Sequence, residues 1–263
     1  MGEALLAGWL RAGLLPDRVL VVEPNTDKAS QLQDQYRVAV VGGPVEAVTA
    51  DAIVLAVKPQ LLDDVAPPYA GLARAGAVVL SIAAGRTLAS LVASLGAGAA
   101  VVRAMPNTPA AVGRGMSVAC ANAMVTPAQR ALVDSLLAAV GEVAWLDDEG
   151  LMDAVTAVSG SGPAYVFYVV ECLAEAGIAA GLPADLAMQL ARATVIGAGE
   201  LLFRAPESAD ELRRRVTSPG GTTAAALSAL MADDGLRPLI IEAVRRAAAR
   251  AGELAATPPA RSS

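Results

Sequence analysis

"MGEALLAGWLRAGLLPDRVLVVE" (Met1–Glu23) decides how the first half of this chain is read. Leu5, Leu6, Trp9 and Leu10 fall on one side of a helix over residues 3–12, which Gly13 ends, and the β-branched run that follows predicts a strand over 19–23. In a dinucleotide-binding βαβ unit, a strand leads into G-x-G-x-x-G and the helix N-terminus receives the pyrophosphate. An acidic residue about 20 positions beyond meets the ribose hydroxyls. Gly2 and Glu23 suit the last glycine and that acid. A plain amphipathic helix followed by a strand ending in a charge accounts for the same residues, since neither a strand nor earlier glycines stand before Met1.

The alternation continues outward from this stretch. Further strands are expected over 38–41 (VAVV), 52–57 (AIVLAV), 77–82 (AVVLSI) and 100–104 (AVVRA), separated by helical patterns. This is the signature of an α/β fold with a mostly parallel sheet buried by helices on both faces. "SVACA" (117–121) and "EVAWL" (142–146) extend it, with a helix between them that starts at the capping box Thr126–Gln129 and has Pro127 at its first position. From Leu151 the pattern is helical throughout. Pro163 opens one long helix, a second spans most of 182–203, and a capping box from Ser208 to Glu211 opens a third. Two more run over 222–232 and 236–256. The expected organisation is a Rossmann-like domain over 1–148, an all-α domain over 149–256 and a disordered tail over 257–263.

Composition narrows the function. The chain has 263 residues, 55% of them hydrophobic, and a formal charge of -6 from 20 basic and 26 acidic side chains. That balance repels a phosphate backbone, so nucleic acid is not an expected partner. Charged or Gly/Pro positions interrupt the apolar runs short of the roughly 20 residues of a membrane span, and no secretory signal opens the chain. A cytoplasmic protein with no membrane segment is expected. Cys120 and Cys172 lie in apolar stretches without metal-ligand spacing, so no metal is expected. Histidine is absent, which removes the commonest general base, nucleophile partner and metal ligand.

Four segments remain to carry chemistry. "LAVKPQ" (55–60) ends one strand, "SIAAG" (81–85) another and "RAMPNTPA" (103–110) a third. Ligands of open α/β sheets bind outside the carboxyl ends of strands, where all three turns belong. Ordinary turn chemistry explains each alone; three on one edge favour a ligand cleft. "AVSGSGPAY" (157–165) enters a long helix and suits either a domain hinge or a site. In "TSPGGTTAAAL" (217–227), Pro219, Gly220 and Gly221 break the chain before Thr222 or Thr223 starts a helix. Its free N–H groups can bind a carboxylate with no basic side chain.

On these segments, taken in order with "DAVTAVSGSGPAYVF" and "RRRVTSPGGTT", the sequence resembles the pyrroline-5-carboxylate reductase family over nearly its whole length. The resemblance implies a Rossmann domain followed by a helical domain that forms a homodimer, often assembled into rings. It also implies reduction of 1-pyrroline-5-carboxylate to L-proline by NADPH or NADH. It places Ser218, Gly220, Gly221 and Thr222 around the substrate carboxylate, with Thr223 as the catalytic residue at the ring nitrogen. Ser161 of "SGSG" approaches the substrate. Val57, Lys58 and Pro59 line the cofactor, and Ala83, Ala84, Gly85 and Asn107 lie near the nicotinamide. Family members begin with a strand and a G-x-G-x-M-G-like loop, whose last two positions Met1 and Gly2 match. Met1 is therefore expected to be an internal methionine taken as a start, and an in-frame upstream G-x-G is the expected finding.

The chemistry permitted by composition agrees. A cyclic imine is basic enough to arrive protonated, so hydride addition needs little further activation and no imidazole. Glu23 favours free ribose hydroxyls, while Asn25, Thr26 and Lys28 offer partners to a 2′-phosphate, so use of both cofactors is expected. The 6-phosphogluconate and hydroxyacid dehydrogenases share the two-domain plan but rely on a lysine in the helical domain, and residues 151–263 contain none. The other reading is a homologue that keeps the fold and dimer surface without holding cofactor.

Overall fold

A computed structural model describes residues 1–45 and 48–256; the expected tail over 257–263 lies outside them. The chain divides into an N-terminal unit, residues 1–160 joined by the end of the last helix from Ala247, and a helical unit, Ser161–Arg246. This division falls later than residue 148. The reason is that 149–160 pack on the strands through the contacts of Glu149 and Ser159 described below.

In the N-terminal unit the strands are β1 (Leu20–Val22), β2 (Ala39–Val41), β3 (Ala52–Leu55), β4 (Val78–Ser81), β5 (Val101–Met105), β6 (Gly115–Ala121) and β7 (Gly141–Leu146). Its helices are α1 (Gly2–Arg11), α2 (Thr26–Tyr36), α3 (Leu62–Val65), α4 (Ala70–Arg74), α5 (Leu88–Leu95), α6 (Pro127–Ala138) and α7 (Met152–Val155). The strands form two ladders: β1 and β2 pair in parallel, and β3-β4-β5-β6-β7 form a five-stranded sheet in which only β5–β6 is antiparallel. No ladder joins β1 to β3 among the described residues.

What connects the two ladders is α1. Leu5 packs with Val78, Leu80 and Val102 of the larger sheet, Leu6 packs with Leu32 and Val38 beside the smaller one, and Trp9 touches both clusters. The Trp9 indole N–H also donates to the Leu136 carbonyl at 2.8 Å, satisfying its one polar atom. Leu5 and Leu6 are 0% and 4% exposed, worth about 1.5–3 kcal/mol each in burial. The apolar stripe within the first ten residues is thus the element that holds both ladders to one helix.

The central strands β4 and β5 are buried almost throughout, as continuous apolar runs covered on both faces require. The helix starts follow their local chemistry: Thr126 and Gln129 form the expected capping box on α6, and Asn25 caps α2 by accepting from the Lys28 amide.

The helical unit contains α8 (Gly162–Ala179), α9 (Ala184–Arg204), α10 (Ala209–Arg215), α11 (Thr222–Leu230) and the first half of α12 (Leu236–Ala256). Ser208 and Glu211 form the capping box that opens α10, and α8 and α9 bury only alanines of their own. Phe167, Tyr168, Ile196, Leu239 and Ile241 are each more than 60% exposed. By length and hydropathy, α9 is the one helix among the described residues that matches a membrane span, a match that uninterrupted apolar runs in the sequence do not reveal. Asp185, Arg192, Glu200 and Arg204 lie along it, and charges at such positions are costly in a bilayer.

Candidate functional site

Three neighbouring parallel strands end on one edge of the larger sheet, and the turns predicted to line a cofactor follow them. Val57, Lys58 and Pro59 come after β3, Ala83, Ala84 and Gly85 after β4, and Asn107 after β5. Lys58 and Ala84 are exposed there, while Ala83 is 4% exposed and belongs to the core beneath the turn. Gly85 faces the Leu254–Ala255 backbone of α12.

The N-terminus of α1 meets the same edge. A Cβ on Gly2 would lie 2.8 Å from the Ala56 Cβ, so only glycine lets the helix start approach the end of β3 this closely. No side chain caps α1, and its first-turn amides have no partners within the helix. Free amides at a helix start, beside the carboxyl ends of parallel strands, suit a pyrophosphate. The residues present therefore fit a dinucleotide on an observation independent of motif spacing.

Glu23 follows β1. Its carboxylate accepts from the Asn25 amide at 3.0 Å and pairs with Lys28 at 3.7 Å, and Lys28 is half exposed. Asn25 itself is committed to capping α2. The acid thus stands next to a cation free to turn outward, which weakens its repulsion of a phosphate group.

In the helical unit, Ser218–Gly221 form a tight turn closed by the Gly221 amide on the Ser218 carbonyl at 3.1 Å. Gly220 has φ 69°, a left-handed backbone that makes glycine the fitting residue there. The helix α11 begins at Thr222, one of the two starts expected, with Gly221 at its N-cap, and no side chain caps it. Both threonines lie inside the first turn, so their hydroxyls are not used for capping and the first amides remain donors. Thr223 is half-buried and Thr222 exposed. Ser161 is the N-cap of α8 and likewise makes no side-chain capping bond.

Two groups whose partners the sequence does not reveal stand at the same edge of the larger sheet. Arg103, on β5, is 5% exposed and donates to Glu149 at 2.8 Å. The same carboxylate oxygen accepts from the Leu88 amide at the start of α5, also at 2.8 Å. The available signal is an arginine inside the apolar run "VVRAM", because a buried guanidinium needs an anionic partner. Cys120 sits opposite Arg103 across the β5–β6 ladder. Burial, reinforced by Glu149, pushes its thiol pKa up to about 11, so it is a packing residue and not a nucleophile. The second group is the turn over Thr156–Gly160, a π-helix in the first part of the segment 157–165 that suits either a domain hinge or a site. Among the described residues, no cluster of three His, Cys, Asp or Glu side chains is placed to hold a metal.

Known proteins match this arrangement in both units. Residues 149–254 match the family model for pyrroline-5-carboxylate reductase dimerisation, and residues 1–85 match one described as NADP oxidoreductase, coenzyme F420-dependent. A pyrroline-5-carboxylate reductase of Synechocystis sp. is 44% identical over 256 residues, 97% of this chain and 94% of the relative. The solved structure of the Coxiella burnetii pyrroline-5-carboxylate reductase superposes with TM-score 0.92 at 36% identity, covering 97% of this chain and 95% of that one. That of the Plasmodium falciparum enzyme, with NADP bound, does so with TM-score 0.80 at 27% identity, covering 97% and 95%. A Rossmann-like unit with a glycine-tight helix start, followed by a helical unit with an uncapped helix start after a Ser-Pro-Gly-Gly turn, accords with these matches, and the chain belongs to the pyrroline-5-carboxylate reductase family.

Proposed function

We propose that this chain reduces 1-pyrroline-5-carboxylate to L-proline, consuming one NAD(P)H and one proton and releasing NAD(P)+. The observation that carries the substrate side is the start of α11, where free amides and two hydroxyls not used for capping follow a rigid Ser-Pro-Gly-Gly turn. The Ser218–Thr222 backbone holds the substrate carboxylate, and the Thr223 hydroxyl hydrogen-bonds the ring nitrogen. Ser161 adds a further polar contact to the substrate. On the nucleotide side, the α1 amides hold the pyrophosphate, Glu23 reads the ribose, and the turns at 57–59, 83–85 and 107 flank the nicotinamide.

The bound cofactor supplies hydride to the imine carbon, and the nitrogen, already protonated, takes up the π electrons to become the amine. The protein's task is orientation and exclusion of water, which together can lower a barrier by about 7–11 kcal/mol in favourable cases. No acid stronger than a hydroxyl is required, in keeping with a chain that contains no histidine. The assay is direct: full-length protein with pyrroline-5-carboxylate should consume NADPH and form proline stoichiometrically. Absence of turnover, with calorimetry showing no cofactor binding, would establish the homologue that keeps only the fold.

Both cofactors are expected to serve, because Lys28 stands beside Glu23. Replacing Glu23 by Gln should raise the NADPH-to-NADH ratio of kcat/KM by about fivefold, the size of one exposed charge interaction of about 1 kcal/mol. An unchanged ratio would remove Glu23 from ribose recognition. The exposed apolar faces of α8, α9 and α12 are read as the surface of a homodimer, with dimers assembling into a ring and the enzyme working in the cytoplasm. The charges along α9 suit a wet protein interface better than lipid.

A further inference from the structure

The family resemblance assigns Asn107 to the nicotinamide, yet its carboxamide is engaged elsewhere. Its Oδ1 accepts from the Met116 amide at 2.9 Å, which fixes the orientation of the group, since a backbone N–H can only donate. Its Nδ2 then donates to Ser159, at 3.3 Å to the carbonyl and 3.2 Å to Oγ. Ser159 lies in the π-helical turn Thr156–Gly160, and such turns have a locally widened, less regular hydrogen-bond ladder. A second contact secures the same turn: a Cβ on Gly160 would fall 2.5 Å from the Met105 methyl. The carboxyl end of β5 therefore grips the last two residues of the turn, once by side-chain packing and once by the amide of Asn107.

We infer that Asn107 is a positioning residue, which holds the π turn against the carboxyl end of β5 and does not itself bind the cofactor. The π turn then forms a fixed wall of the nicotinamide side. This rests on the proposed placement of the nicotinamide at the strand ends. Loss of the grip loosens the wall and spoils hydride-transfer geometry, with little change in dinucleotide binding, which depends on α1 and Glu23.

The test uses the near-isosteric Asn107→Asp, which keeps the acceptor for Met116 and removes the donor to Ser159, together with Ser159→Ala and the double variant. In Asn107→Asp, kcat should fall about tenfold, the scale of a lost buried hydrogen bond, while NADPH affinity changes less than about twofold. Ser159→Ala should move kcat the same way by less, and the double variant should be no worse than Asn107→Asp. A rise in the NADPH dissociation constant with kcat unchanged would overturn the inference, as would effects that simply multiply. Hydrogen exchange across 156–160 supplies a readout independent of turnover. Selective acceleration in either single variant supports the grip even if the wild-type chain reduces no pyrroline-5-carboxylate, and exchange equal to wild type in both refutes it. If Asn107→Asp does not fold, Ser159→Ala decides on the same two measurements.

Discussion

Thr223→Ala is expected to lower kcat/KM for pyrroline-5-carboxylate by about 1–3 kcal/mol, roughly five- to 150-fold, with NADPH affinity unchanged. The size follows from where the hydroxyl stands. Thr223 is half-buried in the first turn of α11 and takes no part in capping, because Gly221 occupies the N-cap position. Its removal therefore leaves the helix start intact and, on the proposed placement of the substrate, takes away one bond to a ring nitrogen that carries positive charge until hydride arrives. Thr223→Ser, which retains the oxygen, should recover most of the loss. Steady-state kinetics with both substrates varied would check this, and an unchanged kcat/KM in Thr223→Ala would remove the residue from the reaction.

The largest effect on stability is expected at Glu149. Its side chain is 27% exposed, but the Arg103 side chain it pairs with is only 6% exposed. Glu149→Ala strands a buried guanidinium and also leaves the Leu88 amide at the start of α5 without its acceptor. Breaking a buried pair from one side costs about 3–5 kcal/mol. The partial exposure of Glu149 points to the lower end, about 3 kcal/mol, which for a chain of this size lowers Tm by roughly 6–12 °C. Glu149→Gln keeps an acceptor for both donors and should lose less. Thermal unfolding of both variants followed by circular dichroism gives the comparison, and an unchanged Tm in Glu149→Ala would show that Arg103 finds another partner.

Much of the fold is legible in residue order. The seven strands follow from short, mostly apolar runs, because a strand covered on both faces must be largely apolar, as β4 and β5 are apart from the buried Ser81 and Arg103. The capping boxes at Thr126 and Ser208 are local chemistry and form where the residues lie. The Ser-Pro-Gly-Gly turn is legible too: the helix after it starts at Thr222, as its residue order suggests, with Gly221 at the N-cap and Gly220 in the left-handed conformation that completes the turn. The segment 157–165, which by composition suits either a domain hinge or a site, is over its first part a π turn whose Ser159 accepts from Asn107. Glycine and serine spacing reports freedom of the chain, and says nothing of a partner 52 residues away.

The sequence by itself determined the alternation of strands and helices, the helix caps, the family and the absence of imidazole chemistry, all of which depend on residue identity and near neighbours. Only the tertiary structure decided that α1 spans two ladders through Leu5, Leu6 and Trp9, that Glu149 serves Arg103 and α5 together, and that Asn107 faces Ser159 and Met116. Those arrangements join residues far apart along the chain, and their energies arise from burial and from polar groups that must find partners once water is excluded, conditions that exist only after the chain has folded.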